Sequence, residues 1–461
     1  MRVAFSTALI TAAQAPLLVF LSFGSASAQP TLSLIGAAEK ICQLTGEVDW
    51  ETGAPTAART LSNFGRDAVD LGYPVENRGK LILLFGDTWP SKPGGPGGEI
   101  GPNDAVGIIV RTAPPTNDQC LGLTINHTTS PKLAFLPATI VRPPQIAQGW
   151  FNVPSGGVSV GGALNAFFWT DHCASPQHLI PSPHDPLARP AGNGKCPETD
   201  RRNSVGAGEF ARSVDEGRLF THVAAMPIGF VYSLGINTQE LVGLPDEQGR
   251  GIYILGVTRF RASIPYLAHA RPETFADPTT WRYFVGRGPS GAPNWVAYDA
   301  WQRGRSRPPS PKTSGWSPPG DAEITGPASD ADRTIGEFSV TWHPVLRSWL
   351  MLYSAGSAIE ARIAPAVWGP WSAPTTLLSA AKATRCHMIM VPSGCGSRRN
   401  YWPKKSDGSF VSGDFYAPFV LNRYTIARET RAGRSATIYW LVSTWNPYEV
   451  AVMHSTLELA P

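Results

Sequence analysis

Two aspartates stand 17 residues apart, Asp70 and Asp87, and each lies within two residues of a glycine. A pair of carboxyl groups on opposite sides of a sugar can cleave a glycosidic bond. One, protonated, assists the leaving oxygen, and the other, ionised, activates water or attacks the anomeric carbon. Asp87 follows the apolar run 81–85 (LILLF), and poor hydration there favours a protonated general acid. The same residue type at a strand end also serves as a cap for the amides of a turn, here through Gly86 and Thr88, and Asp70 before Leu71-Gly72 is open to the same reading. Glu337, between Gly336 and the apolar run 338–342, is a third carboxylate, since a Glu opening a core strand needs a partner such as Arg333 or Arg362, or a wet channel.

Around these acids the sequence offers groups that bind sugars. Trp89, Trp169, Trp445 and Tyr448 present flat apolar faces for stacking, although most of the 15 Trp must fill spaces between sheets. Arg261 offers a guanidinium for hydroxyls or a carboxylate, or a charge on a sheet edge. Other chemistries have weaker footing. Gly157-Val158-Ser159-Val160-Gly161 matches the nucleophile-elbow pattern, yet no helix signal follows it and Ser159 falls inside a hairpin. No phosphate-binding glycine loop follows a strand and opens a helix. His172, Cys173, His178, His184 and Cys196 cluster without zinc-ligand spacing, so neither a metal nor another cofactor is expected. Asn126-His127-Thr128 fits a glycosylation acceptor.

The elements that must position these residues are strands. With 46 Gly, 43 Pro, 16% charged and 42% hydrophobic residues among 461, long helices have little room. Short Val/Ile/Thr/aromatic runs cut by turn residues predict an all-β protein. Strands are expected at 81–85, 106–110, 158–160 with 164–169 across a Gly161-Gly162 turn, 219–225, 251–260, 266–269, 338–342 with 349–353, and 435–444 with 450–457. Such meanders suit a β-propeller with decorated blades or a two-sheet sandwich. The Pro/Gly/Ser-rich piece 304–320 reads as a strap between units.

The first 28 residues, with Arg2, an apolar stretch over 3–23 and Ala26-Ser27-Ala28, read as a signal peptide. This makes residues 29–461 the mature domain, secreted or periplasmic and free of the membrane after cleavage. A net charge of +4 without a long basic run argues against nucleic acid as partner. Six cysteines in an exported chain predict disulfides. Six cysteines allow about 15 connectivities, and sequence alone does not choose among them; pairing near neighbours along the chain suggests Cys173–Cys196 and Cys386–Cys395, leaving Cys42 for Cys120.

The stretch 65–72 (GRDAVDLG) with 80–89 (KLILLFGDTW), 336–342 (GEFSVTW), 359–362 (IEAR) with 368–372 (WGPWS), and 443–448 (STWNPY) resembles a large secreted family labelled a domain of unknown function. Some of its members are endo-D-arabinanases acting on mycobacterial cell-wall arabinan. The resemblance runs from about Asp67 to Leu457. It implies a five-bladed β-propeller with long decorated loops, a carbohydrate-binding face that includes Asn446 beside Trp445 and Tyr448, and a polysaccharide substrate. Ala68-Val69 depart from the Gly-Thr more usual in the family before Asp-Leu-Gly.

Overall fold

The computed structural model describes residues 31–89, 103–126, 152–170, 179–180, 189–190, 207–227, 229–257, 265–303, 335–380, 388, 413–428 and 433–460. Residues 1–28, read above as a signal peptide, Cys173, Cys196, Cys386, Cys395, the histidine cluster, His127, Arg261, Arg333 and the piece 304–320 lie outside these residues, as does the side chain of Trp89.

The chain opens with β1 (Thr31–Gln43), followed by a short helix α1 (Thr60–Phe64). Five antiparallel sheets then succeed one another. The first is β2 (Ala68–Asn77), β3 (Lys80–Trp89), β4 (Asn103–Ile109) and β5 (Leu123–Ile125). The second contains β6 (Asn152–Val160) and β7 (Ala163–Thr170). A two-stranded ribbon of β8 (Leu179–Ile180) and β9 (Arg189–Pro190) intervenes before its outer strands, β10 (Ala207–Ser213) and β11 (Thr221–Ala225). The third runs β12 (Tyr232–Asn237), β13 (Ile252–Val257), β14 (Tyr266–Ala270), β15 (Arg282–Arg287) and β16 (Pro293–Ala297), with helix α2 (Tyr298–Arg303) behind it. The fourth is β17 (Phe338–His343), β18 (Ser348–Ala355), β19 (Ala358–Ala364) and β20 (Thr375–Ser379). The fifth holds β21 (Asp414–Val420), β22 (Ile426–Arg428), β23 (Arg434–Trp445) and β24 (Glu449–Ala460), and takes β1 as its outermost strand.

The first strand of each sheet lies beside that of the next, in the order β2, β6, β12, β17, β21 and back to β2. This closed ring of inner strands makes the fold a five-bladed β-propeller. The expected hairpins at 158–169, 338–353 and 435–457 are all present, while the strand expected at 219–225 begins only at Thr221, because Leu219 sits in the turn that Asp215 caps.

Two physical features close the ring. Strands central to a blade are covered on both faces, so residues 81–85 are all buried, whereas β24 alternates from Met453 onward between buried and half-buried positions. Near the axis the inner strands come close enough for small residues alone. A Cβ on Gly156 would stand 2.5 Å from the carbonyl oxygen of Ser233, and hydroxyls bond across the gap, with Ser155 Oγ donating to Ser233 O at 2.9 Å. Pairing of β1 with β24, from Thr31 against Ala460 to Gln43 against Ala451, joins the first and last described strands in one blade. Cys42 on β1 forms a disulfide with Cys120, just before β5 of the first blade, so the pairing left over from the local cysteine matches is the one present.

Candidate active site

β2 enters the first blade with two register irregularities, between Ala68 and Asp70 and between Leu71 and Tyr73. Leu71 (φ 62°) and Gly72 (φ 92°) take left-handed backbone conformations there, which an L side chain adopts only when its surroundings impose it. Part of that surrounding is the Ser443 hydroxyl, which donates to Leu71 O at 3.1 Å. The bulge sets Asp70 in the ring interior, where it is only 4% exposed and its Oδ2 accepts a hydrogen bond of 2.7 Å from the Tyr416 hydroxyl.

Tyr416 stands on the inner strand of the fifth blade at a bulge of its own, between Tyr416 and Phe419, where Ala417 has φ 56°. Side chains of the fourth blade satisfy the backbone that this bulge frees. Ala417 N donates to Ser354 Oγ at 3.1 Å, Ser339 Oγ donates to Pro418 O at 2.8 Å, and Val420 N donates to Ser339 Oγ at 3.1 Å. Burial, first, and then the nearby Asp70, Tyr448 and Glu337 hold the Tyr416 phenol well above its ordinary pKa. It is therefore protonated and is the donor in its bond to Asp70. A hydrogen bond to the ionised form favours that form.

Glu337 lies one residue before β17 and is buried. The Ser354 amide, donating to Glu337 O at 2.9 Å, fixes its backbone. Arg362, considered as its partner, turns elsewhere: its Nε donates to Tyr353 Oη and its Nη1 to Ser372 O, each at 2.9 Å.

Asp87 (φ 42°) follows Gly86 on β3, where the register with β4 breaks between Phe85 and Thr88. Gly86 is opposite Asp70, and a Cβ on it would lie 2.8 Å from Leu71 Cδ1, so the two strands meet too closely here for any larger residue. Ala105 pairs with Phe85, which puts the buried Asp104 at the same end of β4. Asp70, Asp87 and Asp104 thus occupy three adjacent strands of one blade at one end.

Other predicted residues reach the same end of the propeller, where the inner strands begin. Trp169 pairs with Val153 near the end of β7 and packs, partly buried, on the core. Trp445 pairs with Asp414 at the start of β21. Asn446 is buried with φ 57° in the turn after it. That turn is held by Thr444 Oγ1 donating to Pro447 O at 2.6 Å, and is tied to the first blade by Val69 N donating to Tyr448 O at 3.2 Å. Ser159, by contrast, is a strand serine that accepts from Asn77 Nδ2 at 2.9 Å.

Four features here escaped the sequence reading. Tyr416, in DFYAPFV, belongs to no motif. Asp104 repeats the 17-residue spacing of Asp70 and Asp87, a signal that was available. Glu209 on β10 meets His222 Nε2 at 3.0 Å, and burial, outweighing the histidine, raises its pKa. Just before β2, Arg66 is fully buried with no hydrogen-bond partner for its guanidinium among the described residues, and burial lowers its pKa to about 10.

The opposite half of the channel differs in character. A cavity of about 360 Å³ is lined there by all five inner strands, including Val75, Gly157, Gly235, Val340 and Val420. Its charged rim is Glu76, Glu240 and Arg423, whose Nε donates to Glu76 Oε1 at 2.7 Å. Among the described residues no three His, Cys, Asp or Glu side chains are arranged to hold a metal ion.

Fold and site together define a five-bladed β-propeller with buried carboxylates at one mouth of its channel. The family described as a domain of unknown function (DUF4185) matches residues 201–454, and the chain belongs to it. No curated protein sequence matches the chain. Among solved structures, it is similar to a family 117 glycoside hydrolase from the marine bacterium Zobellia galactanivorans, at 9% identity, 92% and 91% coverage of the two chains and a TM-score of 0.37. It is also similar to a structure described under the GH130 mannoside phosphorylases and the glycoside hydrolases among them that target β-1,2-mannosidic linkages in Candida mannan (8% identity, 92% and 96% coverage, TM-score 0.40). A putative exo-β-1,3-galactanase from Bifidobacterium bifidum is similar at 6% identity, 92% and 94% coverage and a TM-score of 0.34.

Proposed function

We propose that the protein is a secreted glycoside hydrolase that cleaves a furanosidic cell-wall polysaccharide, with D-arabinan as the substrate. The observation that carries this reading is the meeting of acids at one mouth of the channel. Asp70 and Glu337, from the first and fourth blades, both bear on the Tyr416 phenol, and Asp87 adjoins Asp70 on the next strand. Asp87, at the end of its apolar run, acts as general acid. Asp70, which accepts the phenol proton in a hydrogen bond, acts as the ionised base or nucleophile, with Glu337 as the third carboxylate. Trp169, Trp445, Asn446 and Tyr448, with Trp89 and Arg261, hold the sugar chain. Support for arabinan comes from the family resemblance of GRDAVDLG, FGDTW and STWNPY, and support for export from residues 1–28.

The test is to incubate the mature protein with a polysaccharide panel that includes mycobacterial arabinogalactan and to look for released oligosaccharides. Asp87→Asn should leave the fold intact and lower hydrolysis by about 10²–10⁴-fold, the usual scale for a lost acid or base. A folded Asp87→Asn protein cutting at the wild-type rate would transfer the acid role to Glu337. Binding of the polysaccharide without any release would make this a carbohydrate-binding propeller.

A further inference from the structure

We infer that Tyr416 is a positioning residue for this hydrolysis, its phenol holding Asp70 as an oriented carboxylate and so setting the pH at which activity appears. The inference rests on the reading of Asp70 as a reacting group. Three observations support it. The bond is well formed, at 2.7 Å, and both partners are buried, where a charge-assisted hydrogen bond is stronger than in water. The donor is placed by a left-handed residue, Ala417, inside a bulge whose freed backbone groups are taken up by Ser339 and Ser354. Such local strain, supported by side chains of the neighbouring blade, is more than packing a tyrosine ring requires. Finally, the phenol sits between acids of two blades and does not itself ionise in any working range.

Among the described residues, the titratable groups at this end are Arg66 and Asp67 before β2, Asp87 on β3, Asp104 on β4, Glu209 on β10 with His222 on β11, Tyr232 on β12, Glu337 before β17, Tyr353 on β18, Glu360 and Arg362 on β19, Asp414 on β21, Tyr448 after β23 and Glu449 at the start of β24. Most are acids, and neighbouring negative charge makes a carboxyl harder to ionise. A phenol donating to Asp70 opposes that tendency.

The experiment measures kcat/KM against pH for the wild type, Tyr416→Phe and Asp70→Asn on the released-oligosaccharide assay. Tyr416→Phe keeps the ring and deletes the donor. Its acidic limb should move up by about one pH unit or more, with a fall of about tenfold per unit on the acid side and KM nearly unchanged. A uniform loss at all pH values with the limb in place would overturn the inference and leave Tyr416 a packing residue. Should Tyr416→Phe fail to fold, 3,5-difluorotyrosine at position 416 serves instead. It preserves packing and is a stronger donor, so the limb should move down, and a stationary limb overturns the inference equally. Asp70→Asn separates the two levels. If it is inactive while the limb of the Tyr416 variants does not move, the Tyr416 inference alone falls. If it cuts at the wild-type rate, the reading of the site falls with it.

Discussion

The disulfide between Cys42 and Cys120 offers a quantitative test of how the ring is closed. Among the described residues β1 is an edge strand, hydrogen-bonded as a strand to β24 alone, and the disulfide ties it to the first blade across a sequence separation of 78 residues. In the chain-entropy account, a cross-link closing a loop of this size removes about 15 cal/mol/K from the unfolded chain, or about 4.5 kcal/mol at 25 °C. For a domain of about 430 residues the unfolding entropy near the midpoint is about 0.9 kcal/mol/K, so the loss corresponds to about 5 °C in Tm. The perturbation is the double variant Cys42→Ser/Cys120→Ser, which leaves the other four cysteines untouched, and the assay is scanning calorimetry of both proteins. Peptide mapping of the unreduced wild type should recover the two half-cystines in one linked fragment. A double variant melting at the wild-type temperature would refute the argument, because neither the loop entropy nor the anchoring of β1 would then contribute.

Two buried titratable groups yield pH predictions of opposite sign. His343 is fully buried, accepts from Leu346 N at 3.1 Å, and burial lowers its pKa to about 4. The unfolded chain takes up this proton first, so the contribution is present above about pH 6.5 and is lost as the pH falls toward 4; urea unfolding at pH 7 and 4.5 should show wild type losing about 2–3 kcal/mol more than His343→Gln. Glu449 is buried, which raises its pKa well above the ordinary value against the bonds from Thr45 and Trp50. Its contribution is present below about pH 4.3 and is lost as the pH rises through the folded pKa. Glu449→Gln should therefore gain stability relative to wild type between pH 4.5 and 7, and a constant difference between the two would contradict this.

What the sequence disclosed follows from the range over which each signal acts. Hairpins such as 338–353 are legible because turn residues and apolar alternation are local, and β17 and β18 appear where 338–342 and 349–353 put them. The blade count was carried by motif resemblance, since the spacing between blades is ragged. The closure of the ring by β1 had no local signature at all: nothing in residues 31–43 indicates that they pair with 451–460. The site divides in the same way. Asp70 and Asp87 were readable because they flank one hairpin, and Asp104 extends the same 17-residue step onto the third strand, where β4 was expected to start only at Val106. Tyr416 is 346 residues from the carboxylate it bonds, and no periodicity links positions that meet only when the fifth blade returns beside the first. A propeller makes this separation general. Each blade is built from local pairings, but the mouth of the channel takes a side chain or two from several blades, so a motif search within one blade finds acids and misses the group from another blade that orients them. The acids of the first blade could be proposed from the chain alone; the phenol that bonds to Asp70 required the closed ring.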